Sequence, residues 1–139
     1  MRISRNELYM EEAFLHARRS TCERGQVGAV AILGGRVISS GYNGSLPGQK
    51  ECDQHCDLTE KCTRTLHAEG NLIAYAAKKG LSIEGATLYI TLSPCSECAK
   101  LIAQAGIRTV SYEEKYRTTA GLVTLKELGV GAGRSIRKG

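Results

Sequence analysis

Two short motifs contain the side chains best suited to chemistry, His67-Ala68-Glu69 and Pro94-Cys95-Ser96-Glu97-Cys98. Together they supply an imidazole, a pair of thiols and a carboxylate beside the histidine. Three protein ligands of these types can hold a zinc ion and leave one position to a water, whose pKa zinc lowers to about 7. The pattern therefore predicts a catalytic zinc held by His67, Cys95 and Cys98, with Glu69 moving the protons.

Each motif taken alone has an ordinary explanation, since Cys-x-x-Cys can be a redox pair or half of a structural zinc site, and a single histidine is often a surface or core residue. The predicted helix starts favour a metal. Thr65 is the predicted cap of a helix over Leu66 to Lys79. Ser93 and Pro94 are the predicted N-cap and first residue of a helix that includes Cys95 to Ala105. Two helix N-termini would then favour thiolate over thiol at the metal.

Length and composition indicate an ordinary globular protein. The 139 residues suit a single domain over 1–139, and 42% apolar with 24% charged residues is a usual composition. No stretch of about 18 apolar residues is present, and Met1 to Met10 is too polar for a signal peptide, so we expect a cytoplasmic protein without a membrane segment. In that compartment the six cysteines are better explained by metal binding than by disulfides.

The formal net charge of +5 suits an anionic ligand, although a generally solvated basic surface explains it equally well. The basic clusters are Arg18-Arg19 and the tail from Arg134 to Lys138. Neither is interleaved with aromatic residues, as a platform for single-stranded nucleic acid would be. Nucleic acid is therefore not an expected partner.

The elements that must position the two motifs alternate between helix and strand. Capping-box spacing of Ser4 and Glu7 ahead of an apolar stripe predicts a first helix over Ser4 to Ser20. Apolar residues on both sides of Gly34-Gly35 predict a buried hairpin. This order predicts an α/β fold in three α/β/α layers, with a mixed sheet of about five strands. The later predictions are strands at Ala86–Leu92 and Ile107–Tyr112, a helix at Ala120–Leu128 and a short strand in the glycine-rich end.

A second metal site is predicted in the long polar segment from Asn43 to Arg64. A structureless loop of that length in a compact domain is usually functional or held in place by another group. Four ligands would form a closed tetrahedral zinc site that folds the segment, while incidental free thiols are the alternative. The five candidates for those four positions are Cys22, Cys52, His55, Cys56 and Cys62.

The order His-x-Glu and then Pro-Cys-x-x-Cys is the signature of zinc-dependent nucleobase deaminases. From about Met10 to Leu128 the chain resembles the cytidine deaminase superfamily and, within it, the deoxycytidylate (dCMP) deaminase family. Gly41-Tyr42-Asn43-Gly44 and Tyr116-Arg117 distinguish this family, and deaminases of free cytidine usually have cysteine at the position of His67. The other stretches that support the resemblance are Arg19-Ser20-Thr21-Cys22, Val27-Gly28-Ala29-Val30, Thr91-Leu92-Ser93 and Lys115.

The resemblance implies a cytidine deaminase-like fold and roles for individual residues. His67, Cys95 and Cys98 would bind zinc and Glu69 would be the proton shuttle. Asn43 would contact the sugar, although from its sequence alone it can equally be a turn residue, because Asn-Gly favours positive φ. The candidates for the nucleotide phosphate are Arg24, Tyr116 and Arg117. The planar fork of Arg117 suits phosphate, with a surface salt bridge as the alternative.

The implied reaction is hydrolysis of dCMP to dUMP with release of ammonia, which supplies dUMP for dTMP synthesis. Family members often hold a second zinc, and are often hexamers activated by dCTP and inhibited by dTTP, which would bind with Mg²⁺. His55 and Cys56 are adjacent in a slightly short loop, so either can be the fourth ligand of the second zinc.

Two other functions stay open on the sequence. A deaminase of tRNA adenosine or of cytosine in single-stranded DNA would share both motifs. A zinc-stabilised accessory module without activity would keep the fold, but a structural zinc site has no need of Glu69.

Overall fold

The computed structural model describes residues 1–22, 24–49, 62 and 64–138. Helices and strands alternate along most of this length, as the sequence predicts. In chain order the elements are α1 (Arg5–Ala17), β1 (Gly28–Leu33), β2 (Arg36–Tyr42), β3 (Gly44–Ser45), β4 (Thr65–Leu66), α2 (Ala68–Lys79), β5 (Thr87–Leu92), α3 (Ser96–Gln104), β6 (Thr109–Glu114), α4 (Ala120–Glu127) and β7 (Gly131–Arg134).

The central sheet is mixed and has the strand order β2-β1-β5-β6-β7. β1 is antiparallel to both of its neighbours, whereas β5, β6 and β7 are parallel. Parallel neighbours require a crossover connection, which α3 and α4 provide. β3 and β4 form a separate two-stranded ribbon. The five-stranded mixed sheet and the final strand are thereby confirmed.

Helices cover both faces of this sheet because side chains along the inner strands alternate between two apolar clusters. On β5, Leu88 and Ile90 face the cluster that includes residues of α2, α3 and α4. Tyr89, between them, faces the smaller cluster formed with α1. The predicted three-layer arrangement is confirmed, and the helices that carry the two motifs share one face. In the described part of the chain, no helix is long and apolar enough to cross a bilayer.

The beginning of α1 and the hairpin turn follow the sequence prediction. The Ser4 hydroxyl accepts a hydrogen bond from the Glu7 amide at 3.1 Å and so caps α1, which ends at Ala17 instead of Ser20. Gly34 and Gly35 have φ of 60° and 75°, the conformation that a two-residue hairpin turn requires.

The predicted starts of the two motif helices are wrong by a few residues. Thr65 is part of β4, and α2 begins at Ala68 with His67 as its N-cap. Ser93 and Pro94 precede α3, whose N-cap is Cys95. The Ser93 hydroxyl accepts a hydrogen bond from the Tyr116 amide at 2.8 Å instead of capping the helix. The metal-ligand candidates therefore occupy the cap positions themselves.

Arg137, near the C-terminus, contacts both α1 and β6. The Arg137 guanidinium lies 3.5 Å from the centre of the Phe14 ring and pairs with the Glu113 carboxylate at 3.0 Å. Burial acts to raise the pKa of Glu113, but the hydrogen bonds and charge of Arg137 outweigh it and hold that pKa below its usual range.

Gly41 allows α2 to pack directly on β2. A Cβ at this position would lie 2.6 Å from the Ala68 carbonyl oxygen and 2.8 Å from the Leu72 amide nitrogen. Because both are backbone atoms, we predict that Gly41→Ala lowers the free energy of unfolding by about 1–3 kcal/mol. Denaturant unfolding followed by circular dichroism measures the change.

Gly133→Ala is the matched control, since a Cβ there would meet no atom within 4 Å. Its free energy of unfolding should stay within about 0.5 kcal/mol of the unsubstituted chain. Equal unfolding midpoints for the two variants would show that α2 does not depend on this close approach.

Candidate active site

The three predicted zinc ligands lie together at the N-termini of α2 and α3. Their ligand atoms are all within 4.8 Å of one another. His67 Nδ1 lies 3.3 Å from Cys98 Sγ and 3.7 Å from Cys95 Sγ. His67 and Cys95 are helix N-caps and Cys98 is in the first turn of α3, so residues 28 apart in the sequence become neighbours.

Close backbone packing brings the two helix N-termini to the same place. α2 is held against β2 at Gly41, and α4 is held against the loop that precedes Cys95. A Cβ on Gly121 of α4 would lie 1.9 Å from the Pro94 carbonyl oxygen, so only glycine permits this contact. The amide dipoles at both helix N-termini place positive potential on the sulfur ligands, which favours their thiolate form.

Glu69 lies in the first turn of α2, buried to 4% exposure beside the ligands. Burial raises the pKa of its carboxyl, while the backbone amide of Glu69 and the nearby His67 act in the opposite direction. Burial also raises the pKa of the Cys98 thiol, and the charges of Glu69 and Cys95 raise it further. A divalent cation between the sulfurs would remove this repulsion and allow the anionic forms.

The donor set fits zinc. Two cysteine sulfurs and a histidine nitrogen are a ligand combination of catalytic zinc sites, which keep a position for water or substrate. Among the described residues the group has three members, and His67 on its outer side is exposed while Cys98 is buried. The arrangement can therefore hold a metal that is open on one side, next to a buried carboxyl group.

Asn43 is buried and both ends of its amide are bound to backbone. Its Oδ1 accepts from the Val27 amide and its Nδ2 donates to the Gly25 carbonyl, each at 2.8 Å. These bonds hold the segment that follows Arg24. No described residue other than glycine has positive φ, so the turn conformation considered for Asn43 is not adopted.

Tyr116 and Arg117 lie beside the loop that leads to Cys95. The Tyr116 amide donates to the Ser93 hydroxyl, and the Arg117 guanidinium carbon is 5.1 Å from the centre of the Tyr116 ring. Arg117 is exposed and forms no ion pair with any residue that the structure describes. The surface salt bridge considered for Arg117 thus has no partner in the described ranges.

Cys22 and Cys62 are attached to the same β3–β4 ribbon. Thr21, next to Cys22, accepts a hydrogen bond from the Ser45 amide at 3.1 Å, and Ser45 pairs with Thr65. The Cys62 Sγ lies 2.9 Å from the Thr65 Oγ1, and hydrogen bonds with Thr65 lower the pKa of this thiol. The other candidates for the second zinc, Cys52, His55 and Cys56, lie outside the described residues.

Sequence reasoning missed the structural roles of Ser93 and Gly121. Ser93 precedes a Pro-Cys pair, which suggested a helix cap, and its actual partner is 23 residues further along the chain. Gly121 lies in a predicted helix, where glycine is less favourable than most residues. This unfavourable helix propensity was the one sequence signal of close packing at Gly121.

A histidine and two cysteines around an open metal position, with a carboxyl group that is not a ligand, define the site of zinc-dependent nucleobase deaminases. The family described as cytidine and deoxycytidylate deaminase zinc-binding region matches residues 3–114. The chain belongs to this family.

Individual relatives agree with this assignment. ComE operon protein 2 of Bacillus subtilis strain 168 is 46% identical over 119 residues, covering 84% of this chain and 63% of that protein. The chain thus spans less than two thirds of this relative. Deoxycytidylate deaminase of Enterobacteria phage T2 is 37% identical over 147 residues, covering 77% of this chain and 78% of that protein.

A solved structure is similar over nearly the whole chain. It is the crystal structure of dCMP deaminase from the cyanophage S-TIM5 in complex with dCMP and dUMP. The TM-score is 0.87 and the identity 37%, with 97% of this chain and 99% of that chain covered. The similarity confirms the cytidine deaminase-like fold predicted from the sequence.

We predict that Cys98→Ser removes one equivalent of tightly bound zinc per chain, because serine is a poor zinc ligand at neutral pH. Zinc is measured by elemental analysis after exhaustive dialysis of the purified protein. Glu97→Gln is the matched control, since this exposed carboxylate lies between the two cysteines and is not one of the three clustered ligands, and its zinc content should equal that of the unsubstituted chain. Full zinc content in Cys98→Ser would contradict the assignment.

Proposed function

We propose that this chain catalyses the zinc-dependent hydrolytic deamination of dCMP to dUMP with release of ammonia. The observation that carries the proposal is the convergence of His67, Cys95 and Cys98 beside the buried Glu69. The identity of the substrate is supported by the phage relative named deoxycytidylate deaminase and by the similar structure solved with dCMP and dUMP. Production of dUMP would supply dTMP synthesis.

The proposed chemistry divides between the metal and one carboxylate. His67, Cys95 and Cys98 would hold the zinc, which when bound would supply a Lewis acid and so a nucleophilic water near neutral pH. Glu69 takes a proton from that water and delivers it to ring N3, which makes C4 electrophilic as the hydroxyl group adds there. Glu69 next carries the hydroxyl proton to the amino group, the C4–N bond breaks and ammonia leaves. The carboxylate is regenerated in each turnover.

Recognition of the nucleotide is proposed for four residues outside the three-ligand cluster. Arg24, Tyr116 and Arg117 would contact the phosphate, and Asn43 would contact the sugar. Support for the phosphate assignment comes from the exposed guanidinium of Arg117 beside the Ser93–Cys95 loop. Asn43 holds the segment that follows Arg24, so it can also act on recognition through that segment.

A second, structural zinc is proposed for four of Cys22, Cys52, His55, Cys56 and Cys62. Support comes from the attachment of Cys22 and Cys62 to the same ribbon through Thr21, Ser45 and Thr65. Elemental analysis of the dialysed protein tests this proposal, because two equivalents of zinc are expected in the unsubstituted chain and one in Cys62→Ser.

Regulation and assembly are also proposals. We propose that the chain forms hexamers and binds dCTP or dTTP with Mg²⁺. The support for both proposals is the family resemblance. A cytoplasmic location is proposed because the zinc ligands need reduced thiols.

We predict that Glu69→Gln retains zinc and fold but lowers turnover of dCMP by at least 100-fold, because the amide cannot carry protons. Steady-state ammonia release is measured on zinc-replete protein. Glu97→Gln, which removes an exposed carboxylate paired with Lys100, is the matched control and should keep full activity. Turnover above a few per cent in Glu69→Gln would exclude Glu69 as the shuttle.

Ammonia release from dCMP, dCTP, deoxycytidine and a cytosine-containing oligonucleotide distinguishes the candidate functions. We predict the highest kcat/KM for dCMP. Preference for the oligonucleotide would favour a polynucleotide deaminase. Zinc-bound protein without turnover on any of the four compounds would favour an accessory module.

A further inference from the structure

The Ser93 hydroxyl stands at the point where β5 and β6 separate. These strands are parallel, with Leu92 paired to Glu114, and the Ser93 amide continues the ladder by donating to the Glu114 carbonyl at 2.8 Å. The next bond of a regular parallel ladder would run from the Tyr116 amide to the Ser93 carbonyl. The Tyr116 amide instead donates to the Ser93 side-chain oxygen at 2.8 Å. A hydroxyl thus takes the place of a backbone acceptor.

This substitution lets the two chains diverge while they stay attached. After Ser93 the chain turns toward the zinc ligand Cys95, whereas beyond Glu114 the other chain continues to Tyr116 and Arg117. Ser93 is 2% exposed and Tyr116 is half-buried, so the acceptor side of this hydrogen bond is shielded from competing water. Removal of the hydroxyl would leave that amide without its partner.

A second contact fixes the far end of the same segment. Gly121, near the start of α4, packs against the Pro94 carbonyl so closely that an added Cβ would lie 1.9 Å from it. The segment from 114 to 121 is therefore held at both ends by Ser93 and Pro94, which directly precede Cys95. Arg117 lies between the two attachments.

We infer that Ser93 is a positioning residue for nucleotide binding, whose hydroxyl fixes the Tyr116 backbone and thereby places Tyr116 and Arg117 for the nucleotide phosphate. The inference rests on the proposed function and adds to it a residue that acts through others without touching the substrate. Its action is selective, because a ligand that lacks the phosphate does not need the 114–121 segment in place.

The test compares dUMP with deoxyuridine, which differ only in the phosphate. Their Kd values are measured by isothermal titration calorimetry on zinc-loaded protein. Ser93→Ala should weaken dUMP binding about 10-fold, as expected for loss of a hydrogen bond that positions a charged contact, and change deoxyuridine binding by less than about 2-fold. Ser93→Thr keeps the hydroxyl and should restore the ratio of the two Kd values.

Ser39→Ala is the matched control. Ser39 is 4% exposed and its hydroxyl donates to the Leu72 carbonyl at 2.9 Å, so the variant also loses a buried hydroxyl bond. It should lower thermal stability without altering the Kd ratio. Equal weakening of dUMP and deoxyuridine in Ser93→Ala, or unchanged dUMP binding, would overturn the inference.

A double-mutant cycle with Arg117→Ala tests the route of the effect. In the Arg117→Ala background, Ser93→Ala should weaken dUMP binding by much less than 10-fold, with only the part that acts through Tyr116 left. An undiminished 10-fold loss there would show that Ser93 does not act through Arg117.

Amide hydrogen exchange of the unsubstituted protein provides a test that does not depend on the folding of a variant. The Tyr116 amide should be protected, and exchange at the rate of an open loop would overturn the inference. Failure of the proposed function is separate, since it would appear as absence of ammonia release from dCMP by the unsubstituted chain.

Discussion

The electrostatics of two sulfurs and a buried carboxyl group constrain the rest of this protein. Cys95, Cys98 and Glu69 converge where burial raises the pKa of Glu69, and where burial together with the charges of Glu69 and Cys95 raises the pKa of Cys98. Such groups cannot all be ionised together unless positive charge lies between them. Two helix N-termini supply part of that charge through their dipoles, and a zinc ion held with His67 would supply most of it.

The scaffold prepares this cluster by close packing of backbone. Gly41 and Gly121 allow two helices to approach a strand and a loop at distances that a side chain would forbid. The apolar cluster beneath α2, α3 and α4 then holds their N-termini in register. Precision of the ligand positions therefore depends on residues that carry no reactive group.

Much of the fold and the central chemistry could be predicted from sequence, because they depend on local patterns. A stretch of a few residues is enough to recognise the Gly34-Gly35 hairpin, the His67 motif and the Cys95 motif. The errors at Thr65 and Ser93 have different physical causes. Both hydroxyls can cap a helix locally, but Ser93 binds an amide 23 residues away and Thr65 lies in a ribbon strand too short to show any periodicity. At Ser93 a distant hydrogen-bond partner replaces the local one, and a single sequence does not show which of the two partners is preferred.

The pairing of β1 with β5 has a consequence for how the chain folds. Ala29 lies opposite Ile90, about 60 positions further on, whereas the β1–β2 hairpin joins residues that are close in sequence. Closing so long a loop lowers the conformational entropy of the chain before stabilising contacts form. This entropy loss slows folding. Because β5 delivers Cys95 to α3, the thiols and the imidazole are neighbours only once this long-range register has formed. A newly synthesised chain would therefore bind its metal late in folding, after β1 and β5 have paired.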